Sequence, residues 1–478
     1  MSRFARLLAG LALIAIMCGN CAASAANHDH ESGLSYHQYL EQYRDCDSPD
    51  VEYVIEGGSY VRGEGVSVVT EYAGRTGNFV ATEETGYVEW EIEIDRAGLY
   101  SIEVDYYPLP GKTIPAEREL LINGKRPFNE AELLVFQRVF ADAGPVLVDK
   151  NGNQIRPQQV ESPRWQVSML RDSTGYVSEP FRFYFKEGKN TIRLVSQAEP
   201  LLIAQLRLCQ PEPVRTYAEI LSEYRERGYK ETSGIQVKVQ GEAAIAKSDP
   251  TLFGVFDQGD PTMEPYHPVQ IRVNSIGGHR WAHANQWIEW EFTVPESGLY
   301  KIGIKAKQNQ LRSFYSSRRV YIDGKVPFKE LDAVEFPYST HYLMKVLGDE
   351  ETGEPYLVYL DEGKHVLRLE AVIGALVDAI QEAKENLYKL TSLYRQIIMI
   401  TSPNPDTLRS YQLEKKIPTL IEDLTALAES FRRIEAHFRE YTGQTGGHGL
   451  ILNTIVIMLD RMIDRPDRIP SLLGEFRD

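Results

Sequence analysis

The chain repeats itself. Gly86-Tyr87-Val88-Glu89-Trp90-Glu91-Ile92-Glu93-Ile94, followed by Arg96-Ala97-Gly98-Leu99-Tyr100, returns as Gln286-Trp287-Ile288-Glu289-Trp290-Glu291-Phe292-Thr293-Val294 and Glu296-Ser297-Gly298-Leu299-Tyr300. Gly98 and Gly298 set the two copies 200 residues apart. An internal match of this length obliges both copies to adopt one fold. Trp, Val, Ile and Phe alternate with Glu or Thr at period two, and a Gly precedes Leu-Tyr, so each copy reads as strand, turn, strand. The alternation also places Trp90 and Trp290 on the buried face, as core residues.

The repeat unit is longer than its hairpin. Ser35-Tyr36-His37-Gln38-Tyr39-Leu40 and Thr216-Tyr217-Ala218-Glu219-Ile220-Leu221 each open on a capping hydroxyl and carry apolar residues at helical spacing. Downstream, Ile122-Asn123-Gly124-Lys125 and Ile322-Asp323-Gly324-Lys325 are two-residue hairpin turns, because both central residues must accept positive φ. The closing strands at Gly188-Lys189-Asn190 and Gly363-Lys364-His365 are offset by only 175, so the first copy carries about 25 extra residues within 143–175. That insertion, with Asn151-Gly152-Asn153, Pro157 and Trp165, reads as an elaborated surface loop. The expected organisation is a signal peptide at 1–25, a flexible tail at 26–34, a first β-sandwich with its leading helix at 35–209, a linker at 210–215, a second sandwich at 216–372 and a helical bundle at 373–478.

Export is written at the N-terminus. Arg3 and Arg6 precede an apolar run from Leu7 to Met17, and Ala23-Ser24-Ala25 fits a cleavage site, so the protein is expected to be secreted or at the cell surface. Lipid anchoring through Cys18 or Cys21 is the competing reading, against which Met17 and Asn20 stand where a small residue belongs. Cys46 and Cys209 then remain, flanking the first sandwich. In an oxidising compartment they are expected to pair, with two free buried thiols as the alternative. With 52 basic and 68 acidic side chains the net charge is −16, which argues against a nucleic-acid partner.

Many short alternating strands with Gly turns indicate tandem antiparallel sandwiches. The Glu-Trp-Glu strand, the Gly-Leu-Tyr turn, the Ile-Asn-Gly-Lys hairpin and Gly188-Lys189-Asn190-Thr191-Ile192-Arg193-Leu194 resemble the jelly-roll modules of the galactose-binding-like superfold, especially carbohydrate-binding modules of the family 6 and 35 type. The fold class is therefore mainly β with α: two such sandwiches and then a small helical bundle. The resemblance implies a poly- or oligosaccharide partner and a structural calcium, for which Glu56 and Glu242 are the candidate ligands, with plain surface carboxylates as the alternative.

After Leu369 the period changes to that of helices. Leu376, Ile380, Ala383, Leu387, Leu390, Tyr394 and Ile397 form one apolar series, and Ile417, Leu420, Leu424, Leu427, Phe431, Ile434, Phe438 and Tyr441 another. A third helix is expected at Leu450–Ile463, giving a bundle of about three. Tyr394-Arg395-Gln396-Ile397-Ile398-Met399-Ile400-Thr401 and Tyr411-Gln412-Leu413-Glu414-Lys415-Lys416-Ile417-Pro418 resemble the middle region of large extracellular solute-binding proteins of sugar importers in Gram-positive soil bacteria. Those proteins continue into a two-lobed sugar-binding domain, which this sequence does not contain. The resemblance implies a membrane importer or cell-surface protein as a further partner.

No hydrolase elbow or zinc helix is present: Gly57-Gly58-Ser59-Tyr60-Val61 lacks the second glycine of the elbow motif, and His-Glu-x-x-His does not occur. Sugar recognition instead needs aromatic faces beside polar side chains in the loops where the copies differ. The candidates are Tyr106, Tyr107, Arg118 and Trp165 in the first sandwich, and Trp281, Arg312, Tyr315, Arg318 and Tyr338 in the second. Arg118 and Arg318 occupy equivalent places, as a shared ligand contact or a shared structural ion pair. The expected function is that of a secreted, non-enzymatic carbohydrate-interacting protein, an accessory or N-terminal part of a sugar-importer solute-binding protein. The alternatives are a cell-surface scaffold and an ancillary region of a polysaccharide-degrading enzyme.

Overall fold

The computed structural model describes residues 33–477 except 313, 407, 408 and 444–446. The expected leader, its cleavage site, Cys18 and Cys21 lie outside the described residues. The described chain forms two compact units, one ending at Ala375 and one beginning at Leu376.

In the first sandwich the Trp-Glu strand, Arg75–Ile94, is 20 residues long and serves both faces. Its early half pairs with Leu201–Cys209 through Val80–Thr82, and its late half pairs with Gly188–Ala198 through Tyr87–Ile94. All its neighbours are antiparallel, with strands Gly98–Pro108 and Ala116–Ile122 further out on either side. Between the faces Trp90, Tyr100, Phe128, Phe181, Phe183 and Phe185 are fully buried. Each contributes on the order of 1.5–3 kcal/mol by leaving water. Trp90 Nε1 donates to Gly57 O at 2.8 Å, and Trp290 Nε1 to Gly241 O at 2.8 Å, so both buried indoles are satisfied in the same way. Gly57 is obligatory there: a Cβ would lie 2.1 Å from Ile203 O.

Both leading helices, Tyr36–Gln42 and Tyr217–Glu226, begin with complete capping boxes, Ser35 with Gln38 and Thr216 with Glu219. Their tyrosines dock them. Tyr36 and Tyr39 hydroxyls accept from the Arg182 and Tyr184 amides at 2.9 and 2.7 Å, and Tyr217 accepts from Leu357 at 3.0 Å. The hairpins turn at Asn123-Gly124 (φ +53° and +76°) and Asp323-Gly324 (φ +51° and +81°). The thiols of Cys46 and Cys209 are free, so the expected bridge is not formed. The ends of this sandwich are held by Gln210 instead, whose Nε2 donates to Pro49 O and Leu99 O at 3.2 and 2.7 Å.

The second sandwich keeps much of this plan and borrows two strands. Trp287–Val294, Gly363–Val372, Ser316–Ile322 and Val334–Phe336 reproduce the register of their counterparts. Where the first sandwich has the strand Arg62–Tyr72, the second has only Ala246–Lys247. The sheet is completed by Phe140–Asp142 and Gln159–Glu161 from the first sandwich, giving seven strands across both modules. The segment expected to be a surface loop is thus an interlock, and its physical reason is the shortened strand, whose bare edge needs hydrogen-bond partners.

Charges clamp this hairpin on both sides. Lys247, fully buried, donates to Asp142 at 2.5 Å and Gln159 at 2.9 Å. Arg138, also fully buried, bonds Glu161, Glu199 at 2.7 Å and Leu109 O at 2.9 Å. Arg164 crosses to Glu289 at 2.6 Å, Asn285 to Asp172 O at 2.9 Å and Arg272 to Gly152 O at 2.6 Å. Val139, Ala246 and Trp287 form a small apolar core at this junction.

In the helical unit Val377–Thr401, Leu420–Thr442, Gly447–Asp464 and Ile469–Arg477 surround a core with Leu393, Ile397, Leu424, Phe431, Leu459 and Leu473. A short helix, Leu413–Lys416, precedes the second long one. Ile469–Arg477 adds to the three helices expected. The first seam holds at Ile397 and, half-buried against the core, at Ala383, Leu390 and Tyr394, but Leu387 is 56% exposed, and Ala379, Asn386 and Leu393 are buried beside that seam.

Candidate functional site

Strand pairing decides which side chains meet on the outward face of Gly98–Pro108. Tyr106 and Tyr107 are neighbours and so point to opposite sides. Tyr106 goes inward, 2% exposed, with its ring 5.1 Å from Phe136 and its hydroxyl donating to Gln137 O at 3.2 Å. It is a core residue, which corrects its assignment as a ligand contact. Tyr107 goes outward and meets Trp165, their centroids 5.4 Å apart and edge to face. Tyr72 lies 5.2 Å from Tyr107, and Phe79 lies 5.1 Å from Trp165. The Arg75 guanidinium stands over the Trp165 ring at 4.7 Å and pairs with Asp105 at 2.9 Å. Burial holds the Asp105 carboxyl above its ordinary range, against the pull of Arg75. Trp165 Nε1 is buried and has no partner among the described residues.

The second sandwich carries an equivalent arrangement. Gln166 pairs with Tyr106, and Leu343 pairs with Ala306, so Tyr342 stands where Trp165 does and Lys307 where Tyr107 does. Lys307 Nζ lies over the Tyr342 ring at 4.5 Å and bonds Asp257. Burial opposes ionisation of Asp257, but Lys307 and the Gly259 amide outweigh it and hold it below its usual range. Asp260, bonded by the hydroxyl and amide of Thr262, is held down to about 2. Reading the sequence overlooked Arg75, Asp105, Lys307 and Tyr342. The signal for Tyr342 was the matching of Arg164-Trp165-Gln166 with His341-Tyr342-Leu343; Arg75 comes from a distant hairpin and left none.

Other candidates fall elsewhere. Arg118 is fully buried and donates to Glu117 O, Ala198 O, Glu199 O and Thr82 Oγ1 at 2.7–2.9 Å. Arg318 bonds Ser316 Oγ and Ser317 O at 2.8 Å and Trp281 O at 3.2 Å. Burial brings each guanidinium down to about 10. These arginines bind carbonyls and hydroxyls, which replaces both the ligand contact and the shared ion pair expected of them. Trp281 is half-buried beneath Arg318 at 4.2 Å, with its Nε1 donating to Gln286 O at 3.1 Å. Arg312 and Tyr315 are exposed on a loop that Gln308 organises through Leu311 O and Phe314 O, and Tyr338 bridges to Gln308. Glu56 accepts from Asn78 at 3.2 Å. Glu242 has one buried oxygen without a partner among the described residues, and burial raises its carboxyl. Among the described residues no three His, Cys, Asp or Glu side chains gather as a metal site, so the calcium expected at Glu56 and Glu242 has no carboxylate cage there.

Residues 378–478 match the family of the bacterial solute-binding protein four-helix bundle domain. The C-terminal unit is a helical bundle of that type. No curated protein matches the chain. Among solved structures, a Podospora anserina GH26-CBM35 β-(1,4)-mannanase is similar at 17% identity and TM-score 0.22 over 38% of this chain and 35% of that one. This chain thus spans about a third of the mannanase. A family 35 carbohydrate-binding module from Clostridium thermocellum is 16% identical, TM-score 0.20, over 34% of this chain and 99% of the module. The CBM35 from Paenibacillus barcinonensis is 15% identical, TM-score 0.22, over 33% and 99%. The sandwich assignment rests on the strand order and register described above.

Proposed function

We propose that this protein is a secreted, non-enzymatic carbohydrate-binding protein, acting beside or as part of a sugar-importer solute-binding system. The observation that carries the reading is that each sandwich sets a ring under a cation that is paired with a carboxylate, Trp165 with Arg75 and Asp105, and Tyr342 with Lys307 and Asp257, the two rings at equivalent strand positions. A pyranose needs an apolar ring face for its C–H surface and charged groups for its hydroxyls, and each platform offers both. Arg75, with 47% of its side chain exposed, can swing aside to admit a sugar. The bundle match at 378–478 supports the link to solute uptake. Glycan-array screening of the full chain, followed by isothermal titration, is expected to find a polysaccharide ligand. Trp165→Ala is expected to weaken it about tenfold or more, with a lowered melting temperature from the lost packing on Phe79 and Tyr107, so binding is compared at a temperature where both proteins are folded. Absence of any binding at millimolar sugar refutes the reading.

The interlock favours a second reading, in which the two sandwiches are a stiff spacer and present the helical unit to a partner. Under that reading the array is blank, and the full chain retains a protein partner after Trp165→Ala.

A further inference from the structure

The interlock brings two cations onto one ring, away from the sugar platforms. Arg156 belongs to the insertion of the first sandwich, and Phe253 and Arg280 belong to the second. The Arg156 guanidinium carbon stands 3.4 Å from the centre of the Phe253 ring, and that of Arg280 stands 4.7 Å from the same centre. The two charges are therefore at most about 8 Å apart, within a Debye length, where like charges repel. Each arm is fixed on its own. Gln154, two residues before Arg156, donates its amide to Ile271 O at 3.0 Å and accepts from the Val273 amide at 2.7 Å. Phe253 O accepts from the Gly277 amide at 3.3 Å, and the Arg280 amide donates to Gly277 O at 3.3 Å. Nothing in the described protein neutralises the pair. Both residues are exposed, and neither guanidinium has a carboxylate or hydrogen-bond partner among the described residues. Asp249 and Asp257, on either side of Phe253 in the chain, are taken by the Thr251 amide at 2.7 Å and by Lys307. Burial turns the nearby Glu242 carboxyl away from ionisation. Arg272 is spent on Gly152 O and Gln270.

We infer that Arg156 and Arg280 form a seat for one tetrahedral oxyanion, a phosphate or sulfate group. A guanidinium held against a ring keeps its planar fork of five N–H donors for a ligand. Two such forks carry two positive charges, which a dianion balances and a single carboxylate does not. A tetrahedral group also has oxygens for both forks at once, whereas the two oxygens of a carboxylate are used up by one. The net charge of −16 works against loose anion binding over the rest of the surface. Because one arginine comes from each sandwich, the seat exists only while the two are interlocked.

Isothermal titration of the full chain with inorganic phosphate, inorganic sulfate and acetate, at constant ionic strength, tests this. The expected result is one site per chain for phosphate and for sulfate, with acetate about tenfold weaker or more. Arg156→Gln and Arg280→Gln are each expected to weaken phosphate about tenfold. Lys189→Gln, which removes one positive charge from the exposed pair with Glu91, is expected to leave phosphate binding unchanged. Titration with glucose 6-phosphate and galactose 6-sulfate then separates the two sources of the group, and binding of either that is lost in the arginine variants supports the seat. No binding of phosphate or sulfate at about 10 mM overturns the inference. So does binding that survives both arginine substitutions together, which would put the ion elsewhere, or acetate held as tightly as phosphate, which would make this a carboxylate site.

Discussion

At the scale of single residues the two sandwiches solve one problem with different charges. Asn190 in the first donates to Lys186 O at 2.7 Å and pairs with Asn123 at 3.0 Å. Its counterpart His365 lies 2.7 Å from Asp323 and 2.8 Å from Asp361 O, one ring nitrogen on each. Burial disfavours the imidazolium, but the Asp323 carboxylate and the Asp361 carbonyl outweigh it and raise His365 above 6.5. A raised folded value means stability that is full below 6.5 and lost as pH climbs through the folded value. The Val366 amide, bonded to Asp323 at 2.8 Å, should therefore exchange progressively faster, relative to its intrinsic rate, as pH rises above 6.5. In His365→Asn, which copies the first sandwich, this pH dependence should vanish; an unchanged slope would show that the histidine does not drive it.

At the scale of elements the helical unit places a polar contact inside an apolar seam. Asn386, 3% exposed, donates to Ser430 Oγ at 2.5 Å, and Ser430 in turn bonds Glu382, which also pairs with Arg433 at 2.8 Å. Such a contact fixes how Val377–Thr401 sits along Leu420–Thr442, because a slip of one turn would strand a buried amide. Ser430→Ala should cost about 1–3 kcal/mol by leaving that amide unpaired. Adding Asn386→Leu should recover most of the loss. Thermal melts followed by helical circular dichroism would check both steps, and a double variant no better than the single would show that the pair does not act as a unit.

At the scale of the molecule, the first β-sandwich donates a hairpin to the second, whose sheet is not complete alone. Lys247→Met removes the cation from Asp142 and Gln159 and should cost about 1–3 kcal/mol at the junction. Limited proteolysis should then cut within 143–158 far sooner than in the wild type, while a protease-resistant hairpin would mean that Arg138 and the strand pairing alone hold it. Tyr106, buried in the first sandwich's own core against Phe136, cannot serve as a binding residue. It lies under Gln137 and beside the interlock hairpin, where its hydroxyl is already committed.

The sequence by itself determined the two sandwiches, their buried tryptophans, the capped helices and the Asn-Gly and Asp-Gly turns. Each of these follows from local period, local conformational preference or an echo 200 residues away. Three things were decided only by tertiary structure. Tyr107 and Trp165 come together with Arg75 and Asp105 because three separate stretches of chain converge on one face. Arg118 disappears into a nest of carbonyls because a guanidinium is satisfied wherever enough acceptors meet, and no spacing announces that. The insertion becomes an interlock because the second copy's shortened strand leaves an edge to be paired, and hydrogen bonds between distant strands leave no periodic mark in either one.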